Sequence, residues 1–266
     1  MPTRGERIVI WLSGLVLLAV LVVLYAPVVV GALFSVVRIQ RGHILWETAS
    51  LDAYGQLFRN ADILAALTTT LIVAVASVAA ATVMALVLAL YVHGGQAMGR
   101  GFLELMVYLP FVMPPIVTGL SLLLFFAELG VARDIVTITI GHAVFVLAIL
   151  YRTVLVRLQS LPRSLSEASA DLGATRQQTF RYVILPYLKS ALITGALLAL
   201  TLSFDETLIT VFLAGDSMTL PLRLWAMMRV GFTPQINALI TLVILASIAL
   251  AIGIAARMRG AGRLEF

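Results

Sequence analysis

The chain has 266 residues, 61% of them hydrophobic and 12% charged, with a mean hydropathy of +1.07. A soluble domain carries about twice that charged fraction, and repeated apolar runs of roughly 20 residues mark a helical integral membrane protein. A β-barrel would instead show short alternating segments, and a chain without cysteine has no disulfides, thiol chemistry or Cys-based metal site. The net charge of +5 rests on arginine, with Lys189 the sole lysine. In such a chain it reports topology rather than nucleic-acid binding.

Six spans are expected within a single transmembrane domain covering 1–266, at approximately 8–34, 61–92, 103–127, 135–157, 187–213 and 237–257. The first has the basic start of a signal peptide, but its apolar run is too long for one and reads as a retained span. If the N-terminus is inside, 12 of the 18 Lys and Arg fall in inner segments, among them Arg4, Arg100, Arg163 and Lys189. That bias predicts both termini in the cytoplasm.

The second span, "LTTTLIVAVASVAAATVMALVLAL", is dense in Thr, Ser and Ala, which suits close packing between helices. The third contains "LPFVMPPIVTGL", where Pro110, Pro114 and Pro115 predict a kink or break near mid-membrane. Two readings of that break stand: it lines a pathway, or it merely aids packing.

Between the fourth and fifth spans, 158–186 forms a polar segment on the cytoplasmic side. Ser164 with Glu167 and Thr175 with Gln178 have capping-box spacing, so two short helices are expected on either side of Gly173. Leu165, Ala168 and Leu172 give the first an apolar edge. The second runs to Pro186, where the fifth span begins. Taken locally, the segment is either an ordinary capped loop or a knob that docks on something, since so short a helix is unstable alone.

The fifth span holds "LTLSFDETLITVFLAG". Acids in apolar sequence are costly and mark transport paths when they face a wet cavity. Asp205 and Glu206 are adjacent and therefore point about 100° apart on a helix. Either one faces a pathway, or the two serve structural ion pairs. Next comes a short amphipathic helix capped by Thr219 and stopped by Gly231, with Leu220, Leu224, Met227 and Met228 near one face. Thr233-Pro234 starts the last helix.

Enzymatic signals are missing. No G-x-x-x-x-G-K-[ST] occurs: Lys189 has no glycines beside it, and "HGGQAMGRG" lacks a lysine. His43, His93 and His142 have no ligand spacing and read as loop or interface residues.

Glu167-Ala168-Ser169, three residues, Gly173, nine residues, then Val183-Ile184-Leu185-Pro186 resembles the EAA loop of ABC importer permeases. Ser169 stands for an alanine and Val183 for an isoleucine. "LSFDETLITVFLAG" followed by "LPLRLWAMMRVGFTPQINAL" is similar to the polyamine-type permeases, the C-type subunit subgroup for spermidine and putrescine. The resemblance implies an all-α integral membrane chain with the type I ABC importer permease fold, in a bacterial cytoplasmic (inner) membrane.

It also implies that Glu167, Ala168, Ser169, Asp171, Leu172, Gly173 and Ala174 couple to a separate ATPase, and that Asp205, Glu206, Phe204 and Trp225 are pathway candidates for a cationic solute. The chain itself would hold no cofactor, ATP and Mg being bound by the partner. The implied partners are a second homologous permease (identical or paralogous), two ATPase subunits and an extracytoplasmic substrate-binding protein. Relatives in the subgroup serve opines, amino-acid-like compounds and phosphonates, so the solute stays open. A self-sufficient ion-coupled carrier or a membrane enzyme are the alternatives from other classes.

Overall fold

The computed structural model describes residues 4–40, 43–94, 98–230 and 233–261. In chain order the elements are α1 (Arg4–Phe34), β1 (Arg38–Gln40), β2 (His43–Leu45), a 3-10 turn (Trp46–Thr48), α2 (Asp52–Arg59), α3 (Ala61–His93), α4 (Arg100–Val112) and α5 (Pro115–Glu128). Then follow α6 (Ile135–Gln159), α7 (Arg163–Asp171), α8 (Arg176–Thr179), a π-helical turn (Phe180–Ile184), α9 (Leu185–Asp205), α10 (Leu208–Leu213), α11 (Leu220–Val230) and α12 (Pro234–Ala261). The helices Val9–Phe34, Ala61–His93, Ile135–Gln159 and Arg176–Asp205 are long and apolar enough to cross a membrane. The bent pair α4–α5 makes a fifth such unit, and the described apolar part of α12, Pro234–Ala246, is shorter.

The chain forms two compact units. One comprises 1–63 and 226–266. Here α12 packs along α1 and against α2. Asn237 Nδ2 donates to the Phe34 carbonyl at 3.5 Å, and the Ser35 and Tyr54 hydroxyls meet at 2.7 Å. The antiparallel pair β1–β2 (Arg38 opposite Leu45, Gln40 opposite His43) and the helix α2 are absent from the sequence expectation. They are short and polar, below the length that a span search detects.

The second unit, 64–225, is built around α6, whose Ile138, Val146, Leu150 and Tyr151 are wholly buried. Asp134 starts it with a capping box: its carboxylate takes the amides of Val136 and Thr137, and the Thr137 hydroxyl accepts from the Asp134 amide. α9 lies alongside α6, while the one-turn-plus helix α10 sits against both α5 and α6. Two glycines make that seat. A Cβ on Gly119 of α5 would lie 3.0 Å from Ile209 Cα, and one on Gly141 of α6 would lie 2.8 Å from Ile209 Cγ2.

The third span is broken, not merely kinked. α4 ends at Val112, α5 begins at Pro115, and their axes differ by 110°. Pro114 has no N–H to offer the Pro110 carbonyl, and the Thr118 hydroxyl donates to that oxygen instead, at 3.3 Å. Pro115 then fits the first turn of a new helix, where an N–H is not needed.

Two local expectations need correcting. Ser164 does not cap α7: the helix starts at Arg163 behind Pro162, whose φ of −60° already suits helix entry, so Ser164 and Glu167 lie inside it. Pro186 stands in the first turn of α9, where the fifth span is expected to begin. The ladder widens into the π turn just before it, with the Leu185 amide reaching back to the Phe180 carbonyl, and the helix continues unbroken into α9. Thr219 does not cap α11 with its hydroxyl, which is buried without a partner; the Leu220 amide donates to Thr70 Oγ1 of α3 at 2.7 Å. α11 runs to Val230, and Gly231, its expected stop, lies outside the described residues, as does 95–97 of the glycine-rich stretch. Pro234 opens α12 as expected.

Candidate functional site

Two features of the second unit hold the residues singled out in the sequence. The first is the hairpin of α7 and α8. Gly173 takes φ +76°, the left-handed conformation that glycine adopts without cost. Its amide donates to the Ala170 carbonyl at 2.9 Å and that of Ala174 to the Ser169 carbonyl at 3.1 Å, which closes α7 with a Schellman motif. α8 opens with the expected capping box between Thr175 and Gln178. The Ser169 and Thr179 hydroxyls meet at 2.8 Å across the two helices. The serine that replaces an alanine of the EAA pattern therefore braces the hairpin from within.

No residue of α7 is buried. Glu167, Ala168, Asp171, Leu172 and Gly173 are all exposed, Ser169 and Ala174 half-buried. Leu172 is 89% exposed and Leu165 44%, so the apolar edge is offered outward. At its base the hairpin is tied to α6. The Arg157 guanidinium lies 4.0 Å from the centre of the Tyr187 ring, and Arg157 Nε donates to the Tyr187 carbonyl at 3.2 Å.

The second feature is a break in the fifth span. α9 stops at Asp205, Glu206 is extended (φ −73°, ψ 109°), and α10 restarts at Leu208. The two adjacent acids differ in exposure. Asp205 is exposed, whereas Glu206 is buried and its Oε1 accepts the Ile209 amide at 2.9 Å. Glu206 thus satisfies one of the open N–H groups at the start of α10. Phe204, next to Asp205 in sequence, is half-buried, and Trp225 on α11 is 39% exposed.

A residue that the sequence reading set aside sits at this break. His142 of α6 is 1% exposed, with Nδ1 2.8 Å from Ser203 Oγ and Nε2 2.8 Å from Thr210 Oγ1. Ser203 Oγ in turn lies 3.1 Å from Ser77 Oγ of α3. Of the two expected readings, loop or interface, His142 fits the second: it lies within α6 and is buried against α9 and α10. A histidine in the middle of an apolar helix, with hydroxyls far off in sequence, gives only one signal: an unexplained polar group in a span. Among the described residues, no cluster of three His, Asp or Glu is placed to hold a metal.

Residues 81–264 match the family described as binding-protein-dependent transport system inner membrane component. The chain belongs to that family. This permease is 35% identical over 246 residues to the putrescine transport system permease protein PotI of Escherichia coli K12, covering 90% of this chain and 85% of the relative. It is 31% identical over 242 residues to the spermidine/putrescine transport system permease protein PotC of the same strain, covering 91% of each.

Among solved structures it resembles a bacterial ABC transporter involved in the import of the acidic polysaccharide alginate. The TM-score is 0.73 at 18% identity, over 96% of this chain and 98% of that one, a likeness of fold alone. The chain is thus homologous to polyamine ABC importer permease subunits, which are not catalytic, and it is an inner-membrane component of a bacterial transport system.

Proposed function

We propose that this chain is the transmembrane permease subunit of an ATP-driven importer and forms part of the pathway for a polyamine-like cationic solute. Six spans cross the membrane, with α4 and α5 together counted as one and α12 as the last, and both termini lie in the cytoplasm. The segment 158–186 then projects on the side where ATP is hydrolysed. Glu167, Ala168, Ser169, Asp171, Leu172, Gly173 and Ala174 seat in a cytoplasmic ATPase, with the exposed apolar edge of α7 as the buried contact. Two such ATPases, a second homologous permease and an extracytoplasmic binding protein complete the importer.

The observation that carries this reading is the hairpin itself: closed by a left-handed glycine, braced by Ser169 and Thr179, and exposing Leu172 almost fully. A carrier that works alone has no use for so rigid an outward knob. The solute assignment rests on the relatives named above and on Asp205, an exposed carboxylate at a helix break, next to the aromatic Phe204 in sequence. Carboxylates and aromatic faces suit a flexible polycation. An exposed acid also fits a cation better than the acidic cargo of the alginate importer, whose fold is similar.

The test is reconstitution in lipid vesicles, with the chain alone and with its partners, following uptake of labelled putrescine and spermidine. Uptake that requires ATP and the binding protein, and that polyamines suppress better than opines or amino acids, is the expected result. Uptake by the isolated chain without ATP would overturn the reading.

A further inference from the structure

The His142 imidazole bridges the break in the fifth span. Ser203, at one of its nitrogens, belongs to the last turn of α9; Thr210, at the other, belongs to the first turn of α10. Between these hydroxyls the chain leaves the helix at Glu206 (ψ 109°) and re-enters it at Leu208. The protons have a consistent order. Thr210 donates its only hydroxyl proton to the Glu206 carbonyl at 2.8 Å, so its oxygen accepts from His142 Nε2–H. Nδ1 is then the bare nitrogen and accepts from the Ser203 hydroxyl, whose oxygen faces Ser77. One tautomer satisfies α9, α6 and α10, and on the α3 side the single Ser77 proton lies between Ser203 Oγ and the Ala74 carbonyl, each at 3.1 Å. A buried network of this kind is rigid when every member is paired.

Asp205 lies two residues beyond Ser203 and immediately before the extended Glu206, so its direction depends on how α9 and α10 are held. We infer that His142 is a positioning residue for Asp205: its ring clamps the two halves of the broken helix at the angle that keeps the Asp205 carboxylate on the exposed face. Glu206 assists from the other side by holding the Ile209 amide. His142 itself is sealed and meets no solute. The inference rests on the proposed pathway role of Asp205 and adds to it the device that aims that group.

The experiment uses the complete importer in vesicles and measures putrescine uptake kinetics for Thr210→Val, His142→Phe and Asp205→Asn, and for Thr210→Val combined with Asp205→Asn. Thr210→Val keeps the volume and severs one arm of the bridge; His142→Phe keeps a ring and severs both. Each is expected to raise KM by about tenfold, a mid-range coupling for residues in one network, with a smaller fall in maximal rate. In the Asp205→Asn background, Thr210→Val is expected to raise KM no further.

Additive effects of Thr210→Val and Asp205→Asn on KM would overturn the inference. So would a loss of maximal rate at constant KM, or failure of both bridge variants to assemble, since either makes the bridge purely structural. A wild-type KM in Asp205→Asn alone is a different failure. It removes Asp205 from the pathway and takes the positioning role with it.

Discussion

The Tyr187 hydroxyl donates to the Ser160 carbonyl at 2.9 Å across 27 positions of sequence, closing the base of the α7–α8 hairpin. Ser160 ends α6 and Tyr187 opens α9, so the contact joins the two long helices at the points where the hairpin leaves and returns. Arg157 stacks on the same ring, and the Ser160 hydroxyl donates to the Arg157 carbonyl at 2.8 Å. If the hairpin has the proposed coupling role, a push on it would reach α6 and α9 together through this contact.

Removing that clasp should uncouple the importer. Tyr187→Ala loses the ring face and the hydroxyl, interactions worth about 0.5–1 kcal/mol for the exposed cation–π contact and about 1 kcal/mol for the hydrogen bond. Tyr187→Phe keeps the face and loses only the hydroxyl. The ratio of solute imported to ATP hydrolysed should fall in the order wild type, Phe, Ala, while ATPase binding persists. An unchanged ratio in Tyr187→Ala would mean that the clasp transmits nothing.

Gly173 separates backbone shape from side-chain space. A Cβ there would meet nothing within 4 Å, so any cost comes from φ +76° alone. Holding an ordinary L-residue in that region costs roughly 1–2 kcal/mol, and Asn tolerates it better. Gly173→Val should open the turn and reduce ATP-driven uptake strongly; Gly173→Asn should retain most of it. Equal uptake by the two variants would show that the left-handed turn is not what the ATPase requires. Glu167→Ala, on an exposed face of α7, should lower uptake without altering thermal unfolding in detergent.

The seat of α10 makes a stability prediction. At Gly119 an added methyl meets backbone, Ile209 Cα and the Leu208 carbonyl oxygen at 3.2 Å, which cannot swing aside. At Gly141 it meets the movable end of Leu213, Cδ1 at 2.6 Å, but also the Ile209 Cγ2 methyl at 2.8 Å, which is fixed on Cβ. Gly119→Ala and Gly141→Ala should therefore each cost about 1–3 kcal/mol, as overpacking does. Thermal unfolding of the purified variants checks both.

What the sequence made legible follows from the physics of each signal. Pro114 announces a break wherever it falls in a helix, and Gly173 with Thr175 and Gln178 announces a turn followed by a cap, because these act within four or five residues. The same local rules misplaced the start of α7 and the role of Thr219, where a competing local choice (helix entry behind Pro162) or a distant hydroxyl (Thr70) prevails. Pro186 marks the start of α9, but the π turn before it joins α8 to α9 without a gap, which no local rule announces. The His142 bridge was out of reach altogether. Its partners lie 61 and 68 positions away, and only folding reveals that they flank one break.

The adjacent acids supply the sharpest test of the pathway. Asp205 is exposed, so Asp205→Asn removes a charge that no described ion pair uses, and assembly should be unaffected. Glu206 is buried with its oxygen on the Ile209 amide, and Glu206→Gln keeps an oxygen that can accept the same bond. Glu206→Ala leaves that amide unpaired, at a cost of about 1–3 kcal/mol for a buried donor. Putrescine uptake should therefore lose affinity in Asp205→Asn and stay near wild type in Glu206→Gln. Thermal stability should fall in Glu206→Ala alone. The loss in Asp205→Asn should be greater for spermidine, which carries more positive charge, than for a singly charged amine competitor. If Glu206→Gln proves the more damaging of the two amide variants, the buried acid and not the exposed one meets the cation, and the assignments of Asp205 and Glu206 must be exchanged.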